Sequence, residues 1–390
     1  MIPYGKQNIN QADIDAVVDT LRSDWLTQGP TVERFEQALC DYTGGAHAVA
    51  VNSATSALHI ACLAMGLGKG DILWTTPNTF VASANCALYC GAEVDFVDID
   101  PQTYNMSIDA LEQKLISAKA QNRLPKIVVP VHFAGQSCDM AAIHRLSQQY
   151  GFAIIEDASH AIGGHYRDEP VGNCRYSDIT VFSFHPVKII TTGEGGAAMT
   201  NDAQLAQHMW RLRSHGITRD ETQFEQPADG DWSYQQIELG FNYRITDIQC
   251  ALGLSQLQRL DDFIQRRHEL VQRYHELLAD CAVSTPVCQS WAKSSWHLYV
   301  ITLQQQDMNY RKQVFQRLRK AGIGVNVHYI PVHTQPYYQA MGHQPGDCPQ
   351  AMQYYRRCLS LPMHPGLDST QQQYICNTLQ HVLEGALHDI

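Results

Sequence analysis

The amino-acid sequence predicts an α/β protein with a large, mostly parallel sheet domain and a small C-terminal α+β domain. Between about residues 46 and 200, short apolar runs alternate with stretches whose apolar residues recur at helical spacing. This alternation is typical of parallel strands joined by right-handed helical crossovers. Beyond about residue 260, the order becomes strand, helix, strand, helix in a shorter stretch. A chain of 390 residues is expected to hold a second domain, and we predict domains at 1–258 and 259–390.

The elements of the large domain follow from these patterns. The apolar runs at 127–129 and 152–155 are continuous and rich in β-branched residues, which is typical of strands buried on both faces. Ser107 is a natural N-cap for the helix that follows it. In chain order, the predicted elements are a strand at 47–51, a helix at 55–66, a strand at 71–75, a helix at 78–91, a strand at 94–97, a helix at 107–120, and the two strands at 127–129 and 152–155.

The second half of the chain is less regular. A polar, turn-rich stretch at 220–236 predicts a loop, and 246–278 predicts a long helical region broken near Arg259. Farther along, the patterns predict a strand at 298–303, a helix at 311–321, a strand at 324–328 and a C-terminal helix from about residue 369.

Ligands of a parallel sheet bind beyond the carboxyl ends of its strands, so residues at those ends are the candidates for function.

Composition and charge exclude several classes of function. The chain is 44% hydrophobic and 17% charged, as expected of a soluble globular protein. Acidic residues outnumber basic ones by 39 to 28, and no basic run with interleaved aromatic residues occurs, so no nucleic-acid partner is expected. No apolar stretch approaches the roughly 20 residues that span a bilayer, and the first residues lack a secretory pattern. We therefore expect a cytoplasmic protein without a membrane partner.

The 12 cysteines and 18 histidines form no recognisable metal or disulfide pattern. No two cysteines stand in a CxxC pair, and neither His268-Glu269 nor His275-Glu276 continues to HExxH. Scattered cysteines in a long cytoplasmic chain are mostly reduced residues of the core. The sequence therefore predicts no metal site.

A turn of small residues, VNSATS at 51–56, follows the first predicted strand and opens a helix. Free backbone N–H groups and the helix dipole at such a start favour an anion such as phosphate. Serine and threonine also stand at helix starts simply as caps, so a capped helix without a ligand is the alternative interpretation.

An acidic pair, Glu156-Asp157, directly follows the strand predicted at 152–155. A carboxylate at the carboxyl end of a parallel strand lies where a ligand binds, although Asp157 could equally cap the next helix. Successive strand residues point to opposite faces, so Glu156 is expected to point away from the ligand side.

A strand predicted to end at Ser183 leads into a loop that contains Lys188. A single lysine in a loop is usually a solvated surface residue, but here Asp157, Ser183 and the turn at 51–56 all stand at strand ends. Phosphate donors, a buried acid and an amine are the parts that pyridoxal phosphate needs: the lysine forms a Schiff base, and the carboxylate keeps the pyridine nitrogen protonated. The sequence therefore predicts a pyridoxal-phosphate site.

Six blocks stand in order along the chain: WLTQGP at 25–30, NSATSALH at 52–59, PNTFVASAN at 77–85, EDASHAIG at 156–163, SFHPVKIITTGEGG at 183–196 and GFNYRITDIQCALG at 240–253. In these blocks the chain resembles the sugar aminotransferases of the DegT/DnrJ/EryC1/StrS family over essentially its whole length. The resemblance implies fold type I of the pyridoxal-phosphate-dependent transferases, with pyridoxal 5'-phosphate as the cofactor. The second, third and fifth blocks are most similar to the transaminases of pseudaminic acid biosynthesis.

The resemblance implies two catalytic residues. Lys188 would form the Schiff base with the cofactor and act as the base that moves the proton between substrate and cofactor. Asp157 would pair with the pyridine nitrogen, so its loss should damage turnover more than cofactor occupancy. The presence of Lys188 argues against the related dehydratases, in which histidine replaces the lysine.

Further residues are implied to hold the cofactor. Phe80 would stack on the ring, unless it is an ordinary core aromatic. His160 would lie beside the ring and its 3′ oxygen. Ala54, Thr55 and Ser183 would bind the phosphate.

Two further implications concern the second subunit and the substrate. Asn242 would reach the phosphate from the other subunit, which implies an obligate homodimer with shared sites. The segments that line the sugar-nucleotide cleft in the family contain, in this chain, Tyr4, Thr27, Gly29, Tyr243, His328 and Tyr329.

The implied activity is transfer of an amino group from L-glutamate to the 4-keto group of a UDP-linked 4-keto-6-deoxy sugar. A GDP- or dTDP-linked 3-keto or 4-keto sugar is an alternative acceptor. A non-catalytic sensor or scaffold of the same fold is disfavoured by the intact set of Lys188, Asp157 and Ser183. An enzyme of amino-acid metabolism is disfavoured by the GFNYR block and the NSATSAL turn.

Overall fold

The structure, a computed structural model, describes residues 1–385 of the chain. The last five residues of the predicted small domain, 386–390, lie outside the described residues. The strands of the first half of the chain are β1 His47–Val51, β2 Ile72–Thr75, β3 Glu93–Phe96, β4 Ile127–Val129, β5 Ala153–Asp157, β6 His165–Tyr166, β7 Glu169–Pro170, β8 Ile179–Ser183 and β9 Gly196–Thr200.

Seven of these strands form the central sheet, in the order β1-β9-β8-β5-β4-β2-β3. The pairs from β8 to β3 are parallel, whereas β9 runs antiparallel to both β8 and β1. The loop at 184–195 connects β8 to β9 and contains no helix, so the chain returns antiparallel beside β8. The predicted mostly parallel sheet is confirmed. The carboxyl ends of β1, β5 and β8 therefore meet at one edge.

Helices cover both faces of the sheet. Ile127 and Val129 of β4 belong to the same apolar cluster as residues of the helices at 54–64 and 82–89, whereas Val128 packs with the helices at 108–120 and 140–150. Alternate residues of one strand thus serve two cores. The helices are α1 Gln11–Arg22, α2 Pro30–Thr43, α3 Ala54–Ala64, α4 Ala82–Tyr89, α5 Ile108–Ala120, α6 Met140–Tyr150, α7 Ala203–Arg213, α8 Asp247–Leu257, α9 Leu260–Leu277, α10 Met308–Lys320, α11 Pro336–Ala340, α12 Pro349–Tyr355 and α13 Ser369–Leu383.

A smaller antiparallel sheet lies in the last third of the chain. Its strand order is β12-β14-β15, and an apolar cluster that runs from Leu270 to Val382 joins it to α9, α10 and α13. The predicted domain division near residue 258 stays a prediction. The remaining strands are β10 Ile217–Thr218, β11 Gln235–Gln236, β12 Val283–Ser284, β13 Ala292–Lys293, β14 Tyr299–Leu303 and β15 Cys358–Leu361.

The first residues of the chain pack against this C-terminal part. The N–H of Ile2 donates to the carbonyl of Gly322 at 2.8 Å, and the carbonyl of Ile2 accepts from the N–H of Gly324 at 2.7 Å. The carbonyl of Tyr4 accepts from the N–H of Met363 at 2.9 Å. The N-terminal segment is therefore held by backbone hydrogen bonds to the C-terminal part of the chain.

Two predicted elements differ from the structure. The helix predicted at 78–91 begins only at Ala82, because the Asn78 side chain donates to the carbonyl of Tyr104 and accepts from the N–H of Tyr329. The strand predicted at 324–328 is wrong. This segment makes only an isolated bridge between Asn326 and Ser360, because its start is taken up by the hydrogen bonds to Ile2.

The other predicted elements match within a few residues. The break near Arg259 separates α8 from α9, as predicted. The predicted loop at 220–236 contains a 3-10 turn, and its last two residues form β11. All 12 cysteines are free, and eight are buried. None of the helices in residues 1–385 combines the length and apolar character that a membrane span requires.

A buried carboxylate, Asp13, fastens α1 to α8. Its Oδ1 accepts from Ser255 Oγ at 2.6 Å, and its Oδ2 accepts from Gln256 Nε2 at 2.8 Å and forms an ion pair with Arg259. The Asp13 side chain is fully buried. Its removal would leave these donors without their acceptor inside the protein.

We therefore expect Asp13→Ala to lower the free energy of unfolding by about 3 kcal/mol, since truncating one partner of a buried ion pair leaves the other charge uncompensated. Chemical denaturation would measure the loss. Asp15→Ala is the matched control, because Asp15 lies on the same helix, is exposed and contacts only Gln11. Equal losses in the two variants would contradict the anchoring role of Asp13.

Candidate active site

A cavity of about 570 Å³ lies at the edge of the sheet where β1, β5 and β8 end. The first turn of α3 and the loop between β8 and β9 form part of its wall, and residues 326–329 approach from the C-terminal part of the chain. Its charged lining residues are Asp157, Lys188 and Glu194. The strand-end residues singled out from the sequence thus face a common cavity.

Lys188 lies in the loop between β8 and β9, where its N–H donates to the carbonyl of His185 at 2.8 Å. The surrounding protein removes water from the amine. This desolvation lowers the pKa of Lys188 to about 8, although the nearby Asp157 carboxylate opposes the shift. Roughly a tenth of the amine is therefore unprotonated at pH 7, far more than for an ordinary lysine, and this fraction can act as a nucleophile or a base.

Asp157 is the last residue of β5 and is only 4% exposed. Its Oδ2 accepts from Ser83 Oγ at 2.6 Å, and its Oδ1 accepts from the N–H of Ser159 at 3.1 Å. The residues after β5 form turns rather than a helix, so Asp157 does not cap a helix. Its carboxylate lines the cavity instead.

Glu156 contacts a different set of residues, as the alternation along a strand predicts. Its carboxylate lies 2.6 Å from His132 Nε2 and accepts from Thr180 Oγ1 at 2.9 Å. The N–H of Cys138 donates to His132 Nδ1, so the proton on Nε2 points at Glu156. This buried network joins β5 to β8 away from the cavity.

The start of α3 satisfies both interpretations of the small-residue turn. Ser53 is the N-cap, and its Oγ accepts from the N–H of Ser56 at 3.1 Å. Ala54 and Thr55 nevertheless line the cavity, where the first turn of a helix presents N–H groups without intrahelical partners. A Cβ on Gly196 would lie 2.5 Å from the backbone nitrogen of Ala54, so β9 can pass this turn only with glycine there. Ser183 also lines the cavity.

Phe80 lines the cavity and is 61% exposed. The alternative that it is an ordinary core aromatic is therefore wrong. An exposed ring at the mouth of a cavity offers a flat apolar face to a ligand.

His160 and Tyr329 form a hydrogen-bonded pair within the cavity. The N–H of Ala134 donates to His160 Nδ1 at 3.2 Å, so the ring proton lies on Nε2, which is 3.0 Å from Tyr329 Oη. Burial and the nearby Lys188 lower the pKa of His160, and burial raises the pKa of Tyr329. Both side chains therefore stay uncharged, and the Tyr329 hydroxyl keeps a proton that it can donate to a ligand.

The remaining predicted residues divide into two groups. Tyr4 and His328 line the cavity together with Tyr329. Four others, near the start of α8, do not line it: Thr27 bridges to Thr246, Gly29 donates its N–H to Asp247, Asn242 bridges to Ser214, and the Tyr243 hydroxyl bonds to His59. The prediction for Asn242 concerned a second subunit, so its position in one chain does not test it.

Sequence reasoning missed several residues of the cavity. Thr79, in the PNTFVASAN block, lines the cavity. Ser83 belongs to the same block and contacts Asp157. Its spacing of three residues from Phe80, as on one face of a helix, could have pointed to it. His297 lines the cavity, is 4% exposed and has a buried Nδ1 without a hydrogen-bond partner in residues 1–385. No pattern in the sequence connected His297 to the site.

A sequence profile described as the DegT/DnrJ/EryC1/StrS aminotransferase family matches residues 7–380. The chain belongs to this family. It is 40% identical to the UDP-4-amino-4,6-dideoxy-N-acetyl-beta-L-altrosamine transaminase of Campylobacter jejuni over 385 residues, which cover 98% of each chain. Its fold is similar to that of Helicobacter pylori PseC, an aminotransferase involved in the biosynthesis of pseudoaminic acid, with a TM-score of 0.90, 33% identity and coverage of 98% of this chain and 99% of the other.

The PLP form of the putative sugar aminotransferase Spr1654 from Streptococcus pneumoniae is also similar, with a TM-score of 0.89, 31% identity and coverage of 99% of both chains. Members of the DegT/DnrJ/EryC1/StrS family with this fold type I architecture are sugar aminotransferases that depend on pyridoxal phosphate. The chain is therefore a pyridoxal-phosphate-dependent sugar aminotransferase.

The residues of the cavity fit this cofactor. The amine of Lys188 has a lowered pKa, the acid at Asp157 is buried, the ring of Phe80 is exposed, and the first turn of α3 is open to the cavity. These four features match, in turn, the carbonyl carbon, the ring nitrogen, the ring face and the phosphate of pyridoxal phosphate.

Proposed function

We propose that the enzyme transfers an amino group from L-glutamate to C-4 of a UDP-linked 4-keto-6-deoxy-N-acetylhexosamine. The product would be UDP-4-amino-4,6-dideoxy-N-acetyl-β-L-altrosamine, an intermediate of pseudaminic acid biosynthesis. The observation that carries the proposal is the full-length 40% identity to a relative of that name, combined with an intact cavity that joins Lys188 to Asp157.

Lys188 is the residue that would hold the cofactor and move the proton. Pyridoxal phosphate, when bound, supplies an electron sink that stabilises negative charge on the carbon that loses its proton. The Lys188 amine is desolvated, so it can take that proton from the amino donor and return it on the sugar side of the reaction. One amine in the wall of the cavity can thus serve both the reaction with the amino donor and the reaction with the sugar.

The other cavity residues would orient the cofactor. Asp157 would keep the ring nitrogen protonated, Phe80 would cover one face of the ring, and His160 would lie beside its 3′ oxygen. Two residues at the start of α3 would bind the phosphate, together with the Ser183 hydroxyl. The two residues of α3 are Ala54 and Thr55. The proposal is supported by the fact that all of these residues line the same cavity.

The proposed assembly is a cytoplasmic homodimer. Asn242 of the partner subunit would complete each phosphate site, since Asn242 does not line the cavity of its own chain. The 12 free cysteines agree with a reducing compartment. Monomers should then be inactive.

The sugar nucleotide would enter past the residues of the N-terminal and C-terminal segments. Tyr4, His328 and Tyr329 line the cavity and are the proposed sugar contacts within one chain. Thr27, Gly29 and Tyr243 lie outside it, and their predicted part in substrate binding stays a prediction.

The lowered pKa of Lys188 predicts how cofactor uptake depends on pH. Below about pH 8 the amine is mostly protonated and cannot attack the cofactor carbonyl; above that pH it is free. Uptake of pyridoxal phosphate by the cofactor-free protein should therefore accelerate as the pH rises and level off, with its midpoint near 8. Stopped-flow absorbance across a pH series would measure it. A midpoint near 10.5, the ordinary lysine value, would contradict the desolvated state of Lys188.

The visible absorption spectrum of the loaded enzyme tests the proposed activity. Addition of L-glutamate should collapse the visible band of the bound cofactor, and a 4-keto sugar nucleotide should restore it. Comparison of UDP-, GDP- and dTDP-linked 3-keto and 4-keto sugars then identifies the acceptor. A band indifferent to glutamate would contradict the donor, and a product with another configuration at C-4 would contradict the altrosamine assignment.

A further inference from the structure

Two buried hydroxyl groups form a chain that ends on the Asp157 carboxylate. Ser83 Oγ lies 2.6 Å from Asp157 Oδ2, and Thr79 Oγ1 lies 2.7 Å from Ser83 Oγ. Ser83 is fully buried and Thr79 is 3% exposed. An O–H···O distance of this length at a carboxylate is typical of a charge-assisted hydrogen bond.

The direction of the chain follows from the number of protons. An ionised carboxylate only accepts hydrogen bonds, so Ser83 must donate its single hydroxyl proton to Asp157. The carbonyl of Phe80 competes for that proton only at the longer distance of 3.3 Å. Ser83 Oγ is then an acceptor towards Thr79, which must donate to it. The order of donation is Thr79, Ser83, Asp157.

The chain holds the carboxylate in one orientation. Oδ2 is fixed by Ser83 and Oδ1 by the N–H of Ser159, so donors from two separate segments restrain rotation of the group. The same short segment that carries Thr79 and Ser83 also presents Phe80 to the cavity. One turn of chain thus supports both the acid and the aromatic ring of the site.

We propose that Ser83 is a positioning residue for Asp157 and that Thr79 orients Ser83. Ser83 acts through the carboxylate: it keeps one oxygen fixed and hydrogen-bonded, so that the remaining acceptor positions of Asp157 are available to the ring nitrogen of the cofactor. The inference rests on the role proposed above for Asp157 and extends it to a pair of residues outside the set predicted from sequence.

The test compares Ser83→Ala, Thr79→Val and Thr79→Ser with Asp157→Asn in the loaded enzyme. Three readouts are recorded: the absorption maximum of the bound cofactor, the dissociation constant of pyridoxal phosphate, and kcat and KM for the keto sugar nucleotide. Ser147→Ala is the matched control, because Ser147 is a buried helical serine whose hydroxyl donates only to the carbonyl of His144. Circular dichroism and the thermal midpoint establish that each variant is folded.

We expect Ser83→Ala to shift the cofactor spectrum in the direction of Asp157→Asn and to lower kcat roughly tenfold or more, the usual effect of losing a hydrogen bond to a charged group, while KM for the sugar nucleotide is retained. Thr79→Val should produce a smaller change of the same kind, and serine at position 79 should recover most of it. A folded Ser83→Ala enzyme with the spectrum and kcat of Ser147→Ala would overturn the inference while Asp157→Asn remains impaired. If Asp157→Asn is itself unimpaired, the proposed role of Asp157 fails, and the inference fails with it.

Discussion

Lys188→Ala is expected to abolish transamination, with a fall in kcat of about a thousandfold or more, because the variant loses both a nucleophile and a proton-transfer group. Lys188 is the only lysine that lines the cavity within residues 1–385, so no neighbouring amine can replace it. Desolvation already lowers its pKa to about 8, which fits a group that must be free amine in one step and protonated in another.

Single-turnover kinetics with L-glutamate would measure the loss, with added pyridoxal phosphate to keep the variant occupied. Lys293→Ala is the control, since Lys293 is exposed and lies in the small strand β13. A Lys188→Ala enzyme that retained turnover would contradict the proposed role of Lys188 as nucleophile and proton-transfer group. The alternative of a sensor or scaffold with this fold would then have to be considered again.

Asp157→Asn is expected to lower kcat on the order of a hundredfold or more while changing cofactor affinity much less. Asparagine keeps the volume and can still accept a hydrogen bond from Ser83, so the cavity should retain its shape. The substitution removes only the negative charge, and charge placed opposite a developing charge in a water-poor site has effects of about this size. The loss therefore falls on turnover rather than on occupancy.

Fluorescence titration with pyridoxal phosphate and steady-state kinetics would separate the two effects. Asp202→Asn changes an aspartate at the exposed start of α7 and should leave both quantities unchanged. If Asp157→Asn lost cofactor in proportion to activity, Asp157 would be a binding residue and not an electronic partner of the ring.

The sequence predicted those parts of the site that stand where regular elements begin and end. Alternating apolar and amphipathic stretches located β5 and β8, and the geometry of parallel sheets then made Asp157 and Ser183, at their carboxyl ends, candidates for the site. The choice between a ligand-side acid and a helix cap stayed open for Asp157. It depended on whether a helix follows β5, and the turns at 158–164 carry no periodicity that decides it.

The parts that sequence reasoning missed depend on contacts between distant segments. The contact of Ser83 with Asp157 joins two residues 74 positions apart, and His297 reaches the cavity from a different part of the fold. The failure at 324–328 has the same origin, since the backbone groups of that segment pair with Ile2 and Ser360 instead of forming a strand. The local preference of a segment for helix or strand does not reveal which distant residues it will contact.

The attachment of the N-terminal segment to the C-terminal part has a consequence for how the chain is made. During translation, Ile2 is made about 320 residues before its backbone partners at Gly322 and Gly324. Tyr4, which lines the cavity, pairs with Met363, a residue that is made later still. The nascent sheet can therefore acquire Lys188 and Asp157 well before this part of the cavity wall is in place, and the cavity is completed only after the residues around 322–363 have been made.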